Sequence, residues 1–268
     1  MRTGFIGLGS QGGPMARRIA EAGFPLTLWA RRPETTAAFA DTGATVAATP
    51  RELAAASDLV CLCVVGDADV RQVLDGPDGV LAGLAPGGVV AVHSTVHPDT
   101  CREIAATAGV RVVDAPVSGG GQAAAEGRLL VMAGGEDEAV RRCLPVFESY
   151  AGRVEHLGAV GAGQVAKLLN NLLFTANLAT VATTFALAAD LGVDPARLGG
   201  VLGGGTANSF ALTAITGSGG TVDTIAAHAG DLLRKDVGLL RDLAERAGAE
   251  SGAVVTAADA ALTLMRVG

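Results

Sequence analysis

The first half of the chain alternates short, wholly apolar runs with segments in which apolar residues recur at helical spacing. The apolar runs predict strands at Thr3–Leu8, Leu26–Trp29, Leu59–Val65, Val89–His93, Arg111–Val113 and Leu129–Met132. The helical spacing predicts helices at Pro14–Ala22, Glu34–Ala40, Arg51–Ala56, Pro98–Ala108 and Glu138–Glu148. Apolar strands that alternate with helices are typical of a parallel sheet covered on both faces. We therefore predict an α/β domain with a doubly wound parallel sheet.

After about Gly158 the pattern becomes helical. The segment Val165–Leu191 contains neither proline nor glycine, which predicts a helix of about 25 residues, or ~40 Å long. Its lysine and three asparagines argue against a membrane span. Because it is apolar on several sides, we expect it to pack between the sheet domain and a partner subunit. The remainder is predicted to be helical, with glycine-rich breaks at Leu202–Thr206 and Thr216–Thr221. The predicted domains are residues 1–158 and, begun by the long helix, the all-α residues 159–268.

The composition limits the classes of function. Hydrophobic residues make up 49% of the 268, which excludes a disordered chain because so much apolar surface can bury a core. The formal net charge of −7 disfavours nucleic acid and anionic membranes as partners. The four cysteines have no zinc-site spacing, so we expect no metal and a reduced, cytoplasmic chain. We also expect no secretory leader, because Thr3–Leu8 already fits a first strand.

A glycine motif follows the first predicted strand and precedes a helix. In the sequence Gly-Leu-Gly-Ser-Gln-Gly, the first glycine permits a tight turn and the second lets the backbone approach a pyrophosphate. The third lets the helix pack close to the strand. The helix N-terminus adds unpaired N–H groups for the phosphates. A glycine-rich turn without a ligand is the alternative; we predict a Rossmann-type dinucleotide site. Its assigned pyrophosphate-binding residues are Gly7, Leu8, Gly9, Ser10, Gln11 and Gly12.

The end of the second predicted strand indicates which dinucleotide binds. NAD-selective sites place an acidic residue there to accept a hydrogen bond from the ribose 2′-OH. Here the strand ends in Trp-Ala-Arg-Arg-Pro, with Arg31 and Arg32 and no acid before Glu34. Two guanidinium groups suit a 2′-phosphate, although both could be solvated loop cations. We predict that NADP(H) is preferred and that NAD(H) is possible.

Lysine is scarce in this chain. Of 20 cationic residues, 18 are arginine and only Lys167 and Lys235 are lysine. An amine can exchange a proton whereas a guanidinium effectively cannot, so a lysine retained in this background suggests proton chemistry. Lys167 also shares a helix face with Asn171, four residues on. The alternative is a solvated surface lysine.

A hydroxyl followed by glycines lies just after another predicted strand, in Ser118-Gly119-Gly120-Gly121. Successive backbone N–H groups in such a segment can form a nest for a carboxylate. The segment falls at the edge where parallel sheets bind ligands. The histidines His93, His97, His156 and His228 are competing acid/base candidates, although a lone histidine is more often structural.

Five motifs occur in the order that the β-hydroxyacid dehydrogenases show. They are the glycine fingerprint through Pro14-Met15-Ala16, the segment Ser94–Pro98, the segment Asp114–Gly120, the run Gly163–Asn171, and Arg234-Lys235-Asp236. Over nearly its whole length the chain resembles this family, which includes 3-hydroxyisobutyrate and tartronate semialdehyde dehydrogenases.

The resemblance implies a role for each matched position. Lys167 would be the catalytic acid/base and Asn171 would bind the substrate oxygen. Ser118, Gly119 and Gly120 would hold the substrate carboxylate, and Thr95, Lys235, Val64 and Val65 would border the cofactor. The resemblance also implies a homodimer through the long helix near 165–191. Gln11 departs from the family, which commonly has Met there, and the short glycine-rich segment after Phe210 leaves the substrate open.

We therefore expect an NADP(H)-preferring oxidoreductase that interconverts a short β-hydroxy acid and its semialdehyde or keto form. Hydride transfer at the nicotinamide would be coupled to proton exchange at Lys167. One alternative is a catalytically silent NADP(H)-binding protein, which the retained Lys167 and Asn171 disfavour. Another is an imine or ketone reductase; imine reductases of this superfamily usually carry Asp or Tyr at the position of Lys167.

Overall fold

The chain divides into two compact units. The computed structural model describes residues 1–106 and 109–266, and the units are Met1–Lys167 and Leu168–Gly268. The first contains every strand described and the second is helical, so the predicted fold class is confirmed. The domain boundary predicted after residue 158 precedes the long helix, whereas the compact units divide within it; that boundary stays a prediction.

The first unit is built on a six-stranded sheet in which all strands run parallel, in the order β3-β2-β1-β4-β5-β6. Its strands are β1 (Thr3–Ile6), β2 (Leu26–Trp29), β3 (Thr45–Val46), β4 (Leu59–Leu62), β5 (Val89–Val92) and β6 (Arg111–Asp114). The helices are α1 (Gly12–Glu21), α2 (Pro50–Ala55), α3 (Asp67–Leu74), α4 (Val80–Gly83), α5 (Pro98–Ala105), α6 (Gly120–Ala125) and α7 (Asp137–Phe147). A 3-10 helix at Pro33–Phe39 replaces the α-helix predicted there.

Apolar side chains cover both faces of this sheet. Successive residues of a strand point to opposite faces, and β4 shows the consequence. Its Cys61 packs in one buried cluster with Phe5, whereas Val60 and Leu62 pack in a second cluster on the other side. β1, β4 and β5 are therefore buried along their whole length, which is why they appear in the sequence as continuous apolar runs.

One predicted strand belongs to a different sheet. Leu129–Met132 was expected in the parallel sheet, but β8 (Leu129–Ala133) lies between β7 (Val117–Ser118) and β9 (Ala151–His156) in a three-stranded sheet. It pairs antiparallel with β7 and parallel with β9. Only Ala115 and Pro116 separate β6 from β7, which is too short for a parallel crossover, so the chain turns and begins a new sheet.

The ends of other elements differ from the predicted ends. β1 ends at Ile6 and β4 ends at Leu62, whereas the predicted ends were Leu8 and Val65. The residues beyond each strand form loops. The helix predicted at Pro98–Ala108 is described as far as Ala105; its last predicted residues, Thr107 and Ala108, lie outside the described residues.

The second unit consists of helices. The long helix α8 (Ala162–Asp190) begins in the first unit and continues into the second. It is followed by α9 (Pro195–Gly204), α10 (Phe210–Gly217), α11 (Asp223–Arg246) and α12 (Gly252–Leu264). Leu178 and Phe185 of α8 pack with α10 and α11 in one cluster, and Leu168 and Leu172 pack with α11 and α12 in another.

By length and composition alone, α8 could cross a membrane, and core helices of water-soluble proteins meet the same criterion. Its buried leucines belong to the clusters just described, whereas Leu169, Leu173 and Leu187 are exposed. The expected absence of a membrane partner stays a prediction.

A buried histidine connects segments of the first unit through hydrogen bonds. His93, directly after β5, lies 2.7 Å through Nδ1 from the Ala115 carbonyl and 3.1 Å through Nε2 from the Tyr150 hydroxyl. The carbonyl can only accept, so Nδ1 carries the proton and Nε2 accepts from the hydroxyl. Burial lowers the pKa of His93 to about 4, because the charged ring would lose its hydration.

This histidine makes stability depend on pH. The pKa of the ring is about 6.5 in the unfolded chain but about 4 in the folded protein. Between these values the unfolded chain binds more protons, so His93 lowers the free energy of unfolding as pH falls. In His93→Gln this dependence should weaken between pH 4.5 and 6.5, by up to about 1.4 kcal/mol per pH unit. Urea unfolding across that range measures it.

His228→Gln is the matched control, because His228 is exposed on α11. It should keep the pH dependence of the original protein. If the free energy of unfolding of His93→Gln changes with pH as steeply as that of the original protein, His93 does not have a lowered pKa.

Candidate active site

The glycine motif forms the loop between β1 and α1, at the carboxyl edge of the parallel sheet. Gly7 has φ of +100°, and a Cβ there would lie 2.1 Å from the Cys63 carbonyl oxygen. A Cβ on Gly12 would lie 2.0 Å from the Gly7 oxygen. Neither position can hold a side chain, so the loop crosses the end of β4 and the helix starts against it.

The middle of this loop is open. Gly9 and Ser10 are exposed, and a Cβ on Gly9 would meet no atom within 4 Å. Among the described residues, the N–H groups of Gly9, Ser10 and Gln11 have no backbone acceptor. The side-chain nitrogen of Gln11 lies 3.9 Å from the sulfur of Met15. Free amides at the start of a helix, with no Cβ in the way, fit a pyrophosphate.

The ends of β4 and β5 lie beside this loop and are joined to each other. The Val64 N–H donates to Oγ of Ser94 at 2.8 Å, which holds the Ser94-Thr95 turn against the end of β4. Val65 is exposed and Thr95 is half-buried. The structure thus brings together the predicted cofactor-bordering residues Val64, Val65 and Thr95 at one edge of the sheet.

A buried carboxylate holds the first turn of α8. Asp114, the last residue of β6, is fully buried, and its oxygens accept from the N–H groups of Gly161 at 2.6 Å and Gln164 at 2.8 Å. Burial raises the pKa of Asp114, and these hydrogen bonds oppose that rise. A Cβ on Gly163 would lie 2.9 Å from the same carboxylate and 2.2 Å from the Met132 oxygen, so the close approach requires glycine.

Gln164 connects this turn to the end of β5. Its fully buried amide accepts from the Val96 N–H at 3.1 Å and donates to the Ser94 carbonyl at 2.8 Å. The Thr95 turn is therefore held from both sides by one side chain. Lys167 follows three residues later on the same helix and is half-buried.

The Ser118 segment lies against the glycine loop. Gly119 and Gly120 are exposed, with φ of +131° and +76°, conformations that favour glycine. A Cβ on Gly121 would lie 2.3 Å from the Ser10 carbonyl oxygen. The predicted carboxylate-binding segment and the predicted pyrophosphate loop are therefore neighbours.

Arg31 and Arg32 follow the end of β2 and are exposed. Nη1 of Arg31 lies 3.4 Å from an oxygen of Asp69 in the first turn of α3. Arg32 precedes the 3-10 helix. The predicted pair therefore stands at the same sheet edge as the glycine loop.

In the second unit, one carboxylate connects two of the predicted site residues. The Asn171 side-chain amide donates to buried Asp236 at 2.6 Å, and Nζ of Lys235 lies 3.1 Å from the other Asp236 oxygen. Asn170 donates to the Asn171 oxygen at 3.0 Å. Asn171 thus keeps one amide hydrogen outside this network.

The histidines have other roles in the described structure. His93 is in the core, and His97 caps α5 by accepting from the Asp99 N–H. His156 contacts the Gly135 and Gly158 carbonyls, and His228 contacts the carbonyl one helical turn before it. Within residues 1–106 and 109–266, no cluster of three or more His, Cys, Asp or Glu side chains could hold a metal ion.

Comparison with known proteins identifies the family. The family model described as the NAD binding domain of 6-phosphogluconate dehydrogenase matches residues 2–158. The model described as the NAD-binding domain of NADP-dependent 3-hydroxyisobutyrate dehydrogenase matches residues 161–266. This chain belongs to the β-hydroxyacid dehydrogenase family. It is therefore an NAD(P)-dependent oxidoreductase of the hydroxyacid dehydrogenase type, as the resemblance implied.

Individual members of the β-hydroxyacid dehydrogenase family align over most of the chain. A probable mitochondrial 3-hydroxyisobutyrate dehydrogenase-like protein of Arabidopsis thaliana is 35% identical over 246 residues, covering 91% of this chain and 82% of that protein. An NAD-dependent L-serine dehydrogenase of Pseudomonas aeruginosa is 33% identical, covering 90% and 84%. The structure of Mycobacterium tuberculosis 3-hydroxyisobutyrate dehydrogenase with L-serine superimposes with a TM-score of 0.86 at 30% identity, covering 99% and 94%.

Sequence reasoning assigned no role to three side chains that hold predicted site residues or the segments around them. Asp114, Gln164 and Asp236 all stand inside recognised motifs, yet the hydrogen-bond partners of their side chains lie 47 to 70 residues away in sequence. For Asp114 and Gln164 the local signal was a polar residue within an otherwise apolar or glycine-rich segment, whereas Asp236 follows two cationic residues.

Gln164 should be a positioning residue. In Gln164→Leu, the buried Val96 N–H and Ser94 carbonyl lose their partner, at roughly 1–3 kcal/mol each. The melting temperature should fall. If the variant folds, kcat should fall more than KM rises, because the Thr95 turn is displaced relative to Lys167. Thermal unfolding and steady-state kinetics measure both effects.

Gln122→Leu makes the same substitution at an exposed position on α6 and should leave stability and kcat nearly unchanged. An equal effect at both positions would contradict the assignment.

Proposed function

We propose that this enzyme prefers NADP(H) and interconverts a short β-hydroxy acid and its semialdehyde or keto form, with Lys167 as proton donor and acceptor. The observation that carries the proposal is the position of Lys167 on α8. It lies three residues after Gln164, whose N–H binds Asp114 at the start of the helix, and four residues before Asn171.

Lys167 would exchange the hydroxyl proton of the substrate. A bound nicotinamide supplies or accepts the hydride that such a reaction needs. In the reducing direction the ammonium of Lys167 would protonate the carbonyl oxygen, and in the oxidising direction the neutral amine would remove the hydroxyl proton. An arginine could supply the charge but not the transferable proton.

Asn171 would orient the same substrate oxygen. One of its two amide hydrogens is committed to Asp236, and the other would donate to the oxygen on which negative charge develops. Asp236 fixes the rotation of the Asn171 side chain and so the direction of that donor.

The substrate carboxylate would bind to Ser118, Gly119 and Gly120. The positive φ values of both glycines suit a nest of successive N–H groups. Exposure of this segment leaves room for a ligand.

The cofactor would extend along the sheet edge. Gly7, Leu8, Gly9, Ser10, Gln11 and Gly12 would hold the pyrophosphate, and Val64, Val65, Thr95 and Lys235 would border the cofactor toward its nicotinamide end. Arg31 and Arg32 would bind the 2′-phosphate. Support for NADP(H) comes from these two arginines and from the absence of an acid between Trp29 and Pro33.

A homodimer through α8 and a cytoplasmic location are also part of the proposal. Leu169 and Leu173, one turn apart, and Leu187 are exposed on α8, and they support a partner subunit because exposed apolar patches often mark protein–protein contacts.

Replacing Lys167 should abolish turnover. The assay first screens NADP(H)-dependent activity on C3–C5 hydroxy acids, their semialdehydes and cyclic imines. On the best hydroxy-acid substrate, Lys167→Ala and Lys167→Arg should each lose at least about a hundredfold in kcat, since general acid–base catalysis contributes 10²–10⁴-fold. Cofactor affinity, measured by fluorescence titration, should change little.

Retention of more than about a tenth of kcat by either variant would disprove the role of Lys167. Activity on cyclic imines alone, surviving Ser118→Ala, would instead favour an imine reductase. Cofactor binding with no turnover of any substrate would favour a silent binding protein.

Arg31→Asp should reverse the cofactor preference. Loss of a charged hydrogen-bonding partner should weaken NADP+ binding by roughly tenfold to a hundredfold, whereas NAD+ binding should be kept or improved by the new acid. Ratios of kcat/KM for the two cofactors measure the change. A preference of the original protein for NAD(H) would contradict the proposal outright.

A further inference from the structure

A carboxylate lies beside the arginine that we assign to the adenosine ribose. Asp69 stands in the first turn of α3, with Oδ1 3.4 Å from Nη1 of Arg31. The Arg31 side chain is 69% exposed and that of Asp69 is 27% exposed. Both side chains are therefore accessible to a ligand at this edge.

The ion pair places a carboxylate near the end of β2, where the ribose of a cofactor would bind. Between Trp29 and Pro33 there is no acid, so the strand itself lacks the residue that typically accepts a hydrogen bond from a ribose 2′-OH. Asp69 brings a carboxylate to Arg31 from α3, the helix that follows β4. An acid thus stands near the β2 end without being part of β2.

The neighbouring acid on α3 has a different role. Asp67 accepts from the His97 N–H at 2.9 Å and from the Thr100 hydroxyl at 2.6 Å. It stabilises the start of α5, whereas Asp69 forms an ion pair with Arg31.

We infer that Asp69 is a cofactor-selectivity residue: its carboxylate competes with the 2′-phosphate for Arg31 and so keeps NAD(H) acceptable. This inference rests on the proposed NADP(H) preference. A phosphate monoester carries nearly two negative charges at neutral pH, and a carboxylate that shares its guanidinium partner repels it. NAD(H) has no such phosphate and does not experience the repulsion.

The size of the effect follows from exposure. An exposed ion pair changes an equilibrium constant by about fivefold at most, and salt screens it over a distance of about 8 Å at physiological ionic strength. Asp69 therefore adjusts a preference that Arg31 establishes.

Direct cofactor binding to Asp69→Asn tests the inference. Trp29, the single tryptophan, lies two residues before Arg31, and quenching of its fluorescence reports binding without turnover. NADP+ should bind the variant about two- to fivefold more tightly at low salt, and the gain should shrink at 0.5 M salt. NAD+ affinity should be unchanged or lower.

Asp75→Asn is the matched control, because Asp75 is exposed at the other end of α3 and the charge change is the same. It should leave the ratio of the two affinities unchanged. Asp69→Ser repeats the test if the asparagine variant is poorly folded by circular dichroism.

Unchanged or weaker NADP+ binding in the Asp69 variants would overturn the inference. Arg31→Asp separates it from the proposed function. If that variant binds NADP+ as well as the original protein does, the proposed preference fails. If it loses NADP+ affinity while Asp69→Asn matches Asp75→Asn, only the role of Asp69 fails.

Discussion

The carboxylate of Asp114 binds the amide groups at which α8 begins, and the position of Lys167 depends on this contact. The first N–H groups of a helix have no acceptor within the helix. Here the N–H groups of Gly161 and Gln164 donate to one buried side chain at the end of β6. Rotation or sliding of the first turn would break both bonds, so Lys167, less than one turn later, keeps a fixed direction relative to the sheet edge.

Two opposing contributions determine the free energy of the buried Asp114 carboxylate. Burial raises the pKa of Asp114 because the carboxylate loses its water. The two amides and the positive end of the helix dipole stabilise the charge. The balance requires close approach, which only glycine permits: a Cβ on Gly134 or Gly163 would lie 2.5 or 2.9 Å from a carboxylate oxygen. The glycine that opens the Lys167 motif is therefore explained by Asp114, independently of any ligand.

Local patterns were sufficient to predict the parallel sheet, the glycine loop and the helical second half. Each of these leaves a periodicity or a short motif in the sequence. The strand Leu129–Met132 was recognised but placed in the wrong sheet, because an apolar run does not show which neighbour it pairs with. The two-residue strands β3 and β7 are too short to produce a period. The half-exposed β9 lacks a continuous apolar run.

At the candidate site, too, local motifs could be predicted and long-range contacts could not. The motif residues could be found, since each stands in a local sequence context. Their contacts could not, because Asp114 and Gly161 are 47 residues apart, Asn171 and Asp236 are 65 apart, and Arg31 and Asp69 are 38 apart. Such pairs are set by which strand ends and helix faces the topology brings together. Under the proposed mechanism, both lysines then depend on an acid that sequence reasoning had not assigned a role: Asp114 fixes the helix of Lys167, and Asp236 pairs with Lys235 while it holds Asn171. Exposed ion pairs such as Arg2–Asp58 and Arg17–Asp41 use arginine. Arginine is thus sufficient for these surface ion pairs. A buried carboxylate, by contrast, binds the start of the helix that carries Lys167, and another contacts Lys235 itself.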